Sequence, residues 1–360
     1  MVNNQSLTDI KSMTLPELTA FMLSIGEKAF RAKQLYQWIH VKLAASFDEM
    51  TNLSGDLRQK LKETCFLTVL VPEEENISKL DGTRKYLFAL ADNNMIESVW
   101  MEYQHGNSVC ISTQVGCRMG CRFCASTIGG VVRNLTAAEM LDQVYRMQQI
   151  TGKRVSNVVL MGSGEPLDNY DNVVRFLELI TDENGLNLSG RNITLSTCGI
   201  VERIYDLAKL KFPITLALSL HASNQETRKK LMPIAYKYPL EQVLKACDDY
   251  YEATGRRLSY EFSLVAGVND SSETAKELAN LLRGRHCHVN LIPVNPVKER
   301  DFVGTTHSNA VSFQKMLEKY GINATIRREM GRDINGACGQ LRRSYLEKKQ
   351  VPIQEGDPQH

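Results

Sequence analysis

The 360-residue sequence predicts an α/β protein built on a parallel sheet. Three observations predict it. After residue 135, short apolar segments of strand length alternate with longer segments whose apolar residues recur at helical spacing, the pattern of repeated βα units. Ahead of these lie three segments of extended character. The first 75 residues, in contrast, read as helical throughout. A chain of this length exceeds the ~250–300 residues at which single cores stop growing, so a main domain with a smaller companion is expected.

In chain order, Leu15 to Ile25, Ala29 to Ala44 and Leu57 to Cys65 read as short helices, with Pro16 suited to a first turn. They define a helical module over residues 1–75. The main unit is expected over 76–350, with 351–360 a tail. It opens with a β extension (76–107), in which Arg84 to Leu90 and Met95 to Tyr103 pair about the turn Asp92-Asn93-Asn94. Ser108 to Thr113 is the next strand. Thr136 and Glu139 form a capping box that starts a helix running to Ile150. Strands follow at Val158 to Met161, Ile193 to Thr197, Ile214 to Leu220, Leu258 to Leu264, Val289 to Ile292 and Ala324 to Arg327. Helices fit between them, among them Tyr170 to Ile180, Leu240 to Thr254, Ser272 to Leu282 and Ser308 to Tyr320. The sheet is open or closed into a barrel, and functional residues belong where its strands end. Gly164-Glu165-Pro166, Ser196, Ser219-Leu220-His221 and Asn295 all end or follow a strand.

Composition narrows the class. Hydrophobic content of 43% and charged content of 23% are those of an ordinary globular protein. No apolar run approaches the ~20 residues of a membrane span. Met1 to Ile10 is polar and lacks a signal-peptide core. Nine cysteines without a secretion signal point to a reducing cytoplasm, where they serve metal or redox chemistry. A net charge of +2 does not announce a nucleic-acid binder, but charge is unevenly spread. From Arg327 to Lys349 seven Lys/Arg stand against three Asp/Glu, a solvated surface tail or an anion-binding stretch.

Three cysteines carry the chemistry. Cys117, Cys121 and Cys124 form a Cys-x3-Cys-x2-Cys run. Thiolates are the usual ligands of iron–sulfur clusters, and three of them leave one iron of a cubane open to a substrate or cofactor. Structural zinc wants four ligands, often in two Cys-x2-Cys knuckles, and no second knuckle follows Cys124. The spacing is that of the radical S-adenosylmethionine (SAM) enzymes, in which SAM chelates the open iron and is cleaved to a 5′-deoxyadenosyl radical. Glu97 stands out by periodicity: alternation sets it on one strand face with Met95, Val99 and Met101. A carboxylate there needs a partner or a task, unless it guards an exposed sheet edge.

Longer motifs carry a more specific resemblance. Gly116-Cys117, Cys121-Arg122-Phe123-Cys124-Ala125-Ser126-Thr127 and Arg133-Asn134-Leu135-Thr136 resemble the RlmN family. So do Met161-Gly162-Ser163-Gly164-Glu165-Pro166-Leu167, Ser219-Leu220-His221-Ala222, Leu231-Met232-Pro233-Ile234, Asn290-Leu291-Ile292-Pro293-Val294-Asn295 and Asp333 to Leu341. The helical start, with Ala32-Lys33-Gln34-Leu35-Tyr36-Gln37-Trp38, resembles the family's accessory domain, a possible RNA contact. Ser163 departs from the hydrophobic residue expected in its motif.

The resemblance implies a partial (β/α)6 radical-SAM barrel with an N-terminal helical accessory domain and a β extension. It implies an enzyme that methylates adenine C2 in 23S rRNA and in tRNA, using one 4Fe-4S cluster and two SAM per turnover. By the family pattern, Cys117, Cys121 and Cys124 hold the cluster. Gly164, Glu165, Ser196, Ser219, Leu220, His221 and Asn295 line the SAM site, with Glu165 suited to accept from the SAM ammonium and Gly164 letting backbone approach the ligand. Cys338, on a C-terminal loop (328–345), carries the methyl as S-methylcysteine; Glu97 is the proton acceptor; Cys110 is the resolving thiol, in transient disulfide with Cys338. Either Glu97 or Cys110 takes the adenine proton. Arg327, Arg328, Arg332, Arg342 and Arg343 flank Cys338 and suit phosphate. An external electron donor and a disulfide reductant are required. The sister Cfr family, which modifies C8, fits less well, because Pro166 and Ser126-Thr127 match the RlmN pattern.

Overall fold

The structure is a computed structural model that describes residues 7–104, 106–295, 297, 299–334, 341, 342 and 345. The N-terminal part begins with a two-residue strand, β1 (Thr8–Asp9). Helix α1 (Leu15–Ser24) follows, opened by Thr14 and Glu17 in a capping box with proline in the first turn. Helices α2 (Phe30–His40) and α3 (Gly55–Thr64) complete the module, and β2 (Cys65–Phe66) returns to pair with β1.

The chain then builds a sheet that holds ten strands among the described residues. Strands β3 (Val71–Ile77), β4 (Arg84–Ala89), β5 (Met95–Tyr103) and β6 (Gly106–Cys110) run as an antiparallel meander. A short hairpin, β7 (Gln114–Gly116) with β8 (Val131–Asn134), stands apart from the sheet and brackets the cysteine loop. Helix α4 (Ala137–Thr151) leads to β9 (Asn157–Leu160), which lies parallel beside β6. Then come α5 (Tyr170–Thr181), β10 (Ile193–Thr197), α6 (Val201–Leu210), β11 (Thr215–Ser219), α7 (Gln225–Leu231) and α8 (Leu240–Thr254). Finally β12 (Leu258–Leu264), α9 (Ser272–Leu282), β13 (Cys287–Pro293), α10 (His307–Lys319) and β14 (Ala324–Ile326) follow. From β6 through β9 to β14 every neighbouring pair is parallel. The sheet curls, because Cys110 of β6 and Ile292 of β13 line one cavity although four strands separate theirs. This is the partial barrel, with the β3–β5 extension on its open edge.

Two expectations need correction. Residues 71–77 form an edge strand, where no strand was expected and a helical module was drawn to residue 75. Its charged, largely exposed sequence, with Pro72 beside a bulge, hides the alternation that marks buried strands. Glu97 does not guard an edge: β5 lies between β4 and β6.

The helical module is tied to the barrel by buried polar contacts. Lys11 Nζ reaches Asp142 Oδ1 on α4 at 2.6 Å and donates to Thr68 O, while Leu70 N–H donates to Asp142 Oδ2 at 2.7 Å. Tyr36 donates to Asp182 at 2.6 Å, and His40 Nδ1 meets the Tyr145 hydroxyl at 2.8 Å. Among the described residues no helix is long and apolar enough to cross a membrane.

Candidate active site

The cysteine loop is shaped by glycines and anchored at both ends. Gly116 has φ +80°, and a Cβ there would lie 2.1 Å from Gly130 O, so only glycine fits the hairpin. Cys117 N–H donates to the same Gly130 O at 2.9 Å. Arg122 N–H donates to Leu231 O, and Thr127 Oγ1 donates to the carbonyls of Cys121 and Cys124. These bonds hold Cys117, Cys121 and Cys124 at the C-terminal ends of the barrel strands, with Cys117 and Cys121 packed against Met119, Cys198, Met232 and Val294.

Burial pushes the Cys117 thiol well above its usual range and the Cys121 thiol to about 12; each also feels the other cysteines and Glu165. Three neighbouring thiols, Cys117 buried and Cys121 and Cys124 half-buried, would repel one another as thiolates and need positive charge between them, which cluster iron supplies. Among the described residues no three His, Cys, Asp or Glu side chains converge on a single metal ion. Three cysteines fall one short of the four ligands of structural zinc and fit a cubane cluster with one iron left open.

The other expected residues gather on the same end of the barrel. Glu165 is buried, and its oxygens accept from Leu167 N–H (3.0 Å) and Cys198 N–H (2.8 Å). Burial raises its pKa against those bonds. A carboxylate has lone pairs left for an ammonium, but its first duty is to shape this turn. Gly164 answers to packing: its φ is +107°, and a Cβ would lie 2.7 Å from Gln114. This packing requirement stands beside the expected backbone approach to a ligand. Ser163 sits buried in the same contact, its carbonyl accepting from Thr113 and Gln114. Its hydroxyl donates to Gly116 O at 3.4 Å, a contact that the expected hydrophobic side chain could not make.

Ser196 and Ser219, on adjacent strands, bring their hydroxyls to 3.3 Å inside the barrel. Leu220 is core, and its backbone N–H donates to Glu261 O. His221 takes a left-handed φ of +54° and is held neutral. Ser263 N–H donates to its Nδ1 at 3.0 Å, and burial lowers its pKa to about 3. Its ring meets Phe123 of the cysteine loop edge-on at 4.9 Å, so it braces that loop.

A cavity of about 470 Å³ opens beside the loop, within the usual range for ligand pockets. Cys110, Phe123, Cys124, Asn295, Arg327 and Arg328 line it. Cys110 is buried, on a face with Val99, Met101 and Met161. Glu97 lies on that face of β5, fully buried, its Oε2 3.0 Å from Lys85 Nζ. Lys85 was missed in the sequence. Pairing the strands about Asp92-Asn93-Asn94 sets Lys85 opposite Val99 and Leu87 opposite Glu97, which is the signal that would have found it. A second, polar cavity of about 520 Å³ continues down the barrel past Met101, Met161 and Arg327. Glu261 lies at its wall, accepting from Ser259 and Asn290. Cys338 and Arg343 lie outside the described residues; Arg332 is exposed at the end of the described tail.

An open parallel barrel with three loop cysteines beside a lumenal cavity defines a radical SAM enzyme, and residues 111–282 match the Radical SAM superfamily. Residues 8–67 match the ribosomal RNA large subunit methyltransferase N-terminal domain. The chain is 64% identical over 341 residues to the probable dual-specificity RNA methyltransferase RlmN of Lachnospira eligens, covering 95% of this chain and 97% of that one. With the protein of the same description from Lachnoclostridium phytofermentans it shares 61% over 350 residues, 96% and 98% of the two chains. A radical SAM methyltransferase from Sphaerobacter thermophilus superposes with a TM-score of 0.89 at 42% identity, covering 92% and 98%. The chain belongs to the RlmN family of radical SAM RNA methyltransferases, and its cofactors are a 4Fe-4S cluster and SAM.

Proposed function

We propose that this enzyme methylates C2 of adenine in 23S rRNA and in tRNA through a methylated Cys338 and a transient protein–RNA adduct. One observation supports this reading most. Arg342, four residues past Cys338, donates its backbone N–H to Glu97 Oε1 at 2.6 Å. Leu341 and Tyr345 pack on Leu87 and Met95, and Met330 packs on the face that bears Cys110. Chain on both sides of Cys338 is thus docked on the strand face that carries Glu97 and Cys110.

The chemistry demands such a grouping. Adenine C2 lies between two ring nitrogens and is too electron-poor to attack a methyl donor. Cys117, Cys121 and Cys124 hold the cluster, and Gly164, Glu165, Ser196, Ser219, Leu220, His221 and Asn295 surround SAM. Bound there, the cluster and SAM supply a carbon-centred radical that abstracts hydrogen. Cys338, as thiolate, takes a methyl from one SAM; a second SAM is consumed in activating that methyl. The Cys338 methylene radical then bonds to C2, and the adduct gives up one electron to a one-electron redox partner of the class that serves the cluster and the C2 proton to Glu97. Cys110 attacks the Cys338 sulfur, the sulfur–carbon bond breaks toward the base, and its methylene is protonated to a methyl. A Cys110–Cys338 disulfide remains, which an external thiol reductant must open. A separate one-electron donor serves the cluster. Arg327, Arg328 and Arg342 suit the phosphates around an extruded base.

Cys110→Ala tests the sequence of events. It should accumulate a Cys338–RNA crosslink, and nuclease digestion followed by mass spectrometry should place the bridging carbon on adenine C2. Free methylated RNA as the sole product removes Cys110 from resolution; a bridge at C8 overturns the regiochemistry.

A further inference from the structure

Arg228 has no part in the chemistry above, yet its situation is unusual. Its side chain is wholly inaccessible to solvent. It sits on α7, one turn before Leu231, whose carbonyl anchors the cysteine loop through Arg122 N–H. Its Nη2 donates to Cys198 O at 2.7 Å and its Nη1 to Tyr238 O at 3.4 Å, while Nε is buried without an acceptor. No carboxylate pairs with it among the described residues. Glu165, the nearby buried acid, is turned to the Cys198 and Leu167 N–H groups instead. A guanidinium stays charged in proteins. Burying one against two carbonyls alone is expensive, and such charges normally find a counter-ion.

The group that answers it is the cluster. Three thiolates and the core sulfides outweigh the iron charge, so the oxidised cluster is a net anion and the one-electron-reduced cluster a stronger one. Cluster potentials follow net charge and nearby charge. Arg228 binds the carbonyl of Cys198, whose side chain packs in one cluster with Cys117 and Cys121, so its charge lies beside the cysteine loop. We propose that Arg228 is the buried counter-cation of the cluster, a positioning residue that favours uptake of the electron from the external one-electron donor. The inference rests on the three-cysteine cluster of the reading above, not on Cys338, Cys110 or the choice of adenine carbon.

The test is an EPR-monitored redox titration of the anaerobically reconstituted full chain. In Arg228→Met the cluster should become harder to reduce, with at least a tenfold fall in the one-electron equilibrium constant, a shift of 59 mV to more negative potential. Arg228→Gln, which keeps a donor without the charge, should shift in the same direction. Arg228→Lys should stay within twofold of the parent. Unchanged potentials in both neutral variants overturn the proposal, as does an equal shift in the lysine variant. Where a neutral variant assembles no cluster, iron and sulfide content decides. Assembly in Arg228→Lys alone supports a need for charge; loss in all three variants assigns Arg228 to packing and refutes the proposal. The Cys338–RNA crosslink is read separately, so failure there leaves this result standing.

Discussion

Lys11–Asp142 and Lys85–Glu97 are chemically one device in two places. Each is a buried lysine–carboxylate pair, at 2.6 and 3.0 Å, with side chains at most 2% exposed. Their surroundings differ. Lys11 and Asp142 are consumed by structure: Thr68 O, Leu70 N–H and Arg146 take their remaining capacity and bind the helical module to α4. Glu97 lies among Met95, Val99 and Met101, on the strand face that leads to Cys110, and takes the N–H of Arg342 from the segment that follows Cys338. Burying a charge pair seldom stabilises a fold more than apolar residues of similar volume would. The first pair earns its place by satisfying backbone groups that apolar residues would leave bare. The second also satisfies one backbone group, Arg342 N–H, on the segment that follows Cys338, where we propose that Glu97 takes a proton.

That contrast can be broken most directly at Lys11. Lys11→Met takes from Asp142 its closer, buried cationic partner, leaving Arg146 at 3.3 Å, and should cost up to about 3–5 kcal/mol in chemical denaturation. Lys11→Met/Asp142→Leu should recover only part of this, because Thr68 O and Leu70 N–H lose their partners at about 1–3 kcal/mol each. Methylation per folded molecule should be unchanged. Full recovery in the double variant would make the two pairs alike.

The mirror experiment is at the other pair. Lys85→Met/Glu97→Leu should still fold, at a cost of about 1–3 kcal/mol for the Arg342 N–H left without its partner. Methylation should fall by at least about 100-fold, the lower end of what a positioned general base contributes. Glu97→Gln should lose activity similarly, while the first half-reaction, methyl transfer to Cys338, survives as a mass shift on the protein. Loss of that mass shift would move Glu97 from proton transfer to assembly of the site.

The two pairs also show what sequence reveals. Glu97 was visible because strand period two set it on an apolar face, and β5, β10, β12 and α8 fall where their patterns placed them. The cysteine triplet was legible because its meaning lies in local spacing. Lys11 and Asp142 are 131 residues apart, and no local pattern couples them. The β3 strand was hidden because an exposed edge needs no apolar alternation, and the β7–β8 hairpin because its reason is the Gly116–Gly130 contact. Gly164 and Glu165 were expected to line the SAM site from their motif, and their packing against Gln114 and Cys198 required coordinates.

The Lys11 network also holds a buried histidine, which gives a finer test. His40 lies beside Tyr145 in the Lys11 network, and burial, deepened by the Lys11 charge, lowers its pKa to about 3. In the unfolded chain it titrates near 6.5. Below pH ~6.5 the unfolded state therefore binds a proton that the folded state refuses, and stability falls with pH by up to about 1.4 kcal/mol per unit until the folded value is reached. Above pH ~6.5 both states are neutral and the contribution is flat. His40→Gln removes this proton from the balance. Its stability relative to the parent, measured by denaturation from pH 7 to 4, should stay constant to about pH 6.5. It should then improve by about 1.4 kcal/mol per unit as pH falls. Lys11→Met removes the second cause of the shift, so the same titration in that background should show the histidine taking up its proton at higher pH. A difference curve that stays flat to pH 4 would mean that His40 accepts its proton inside the fold and that the polar network around it is open to water.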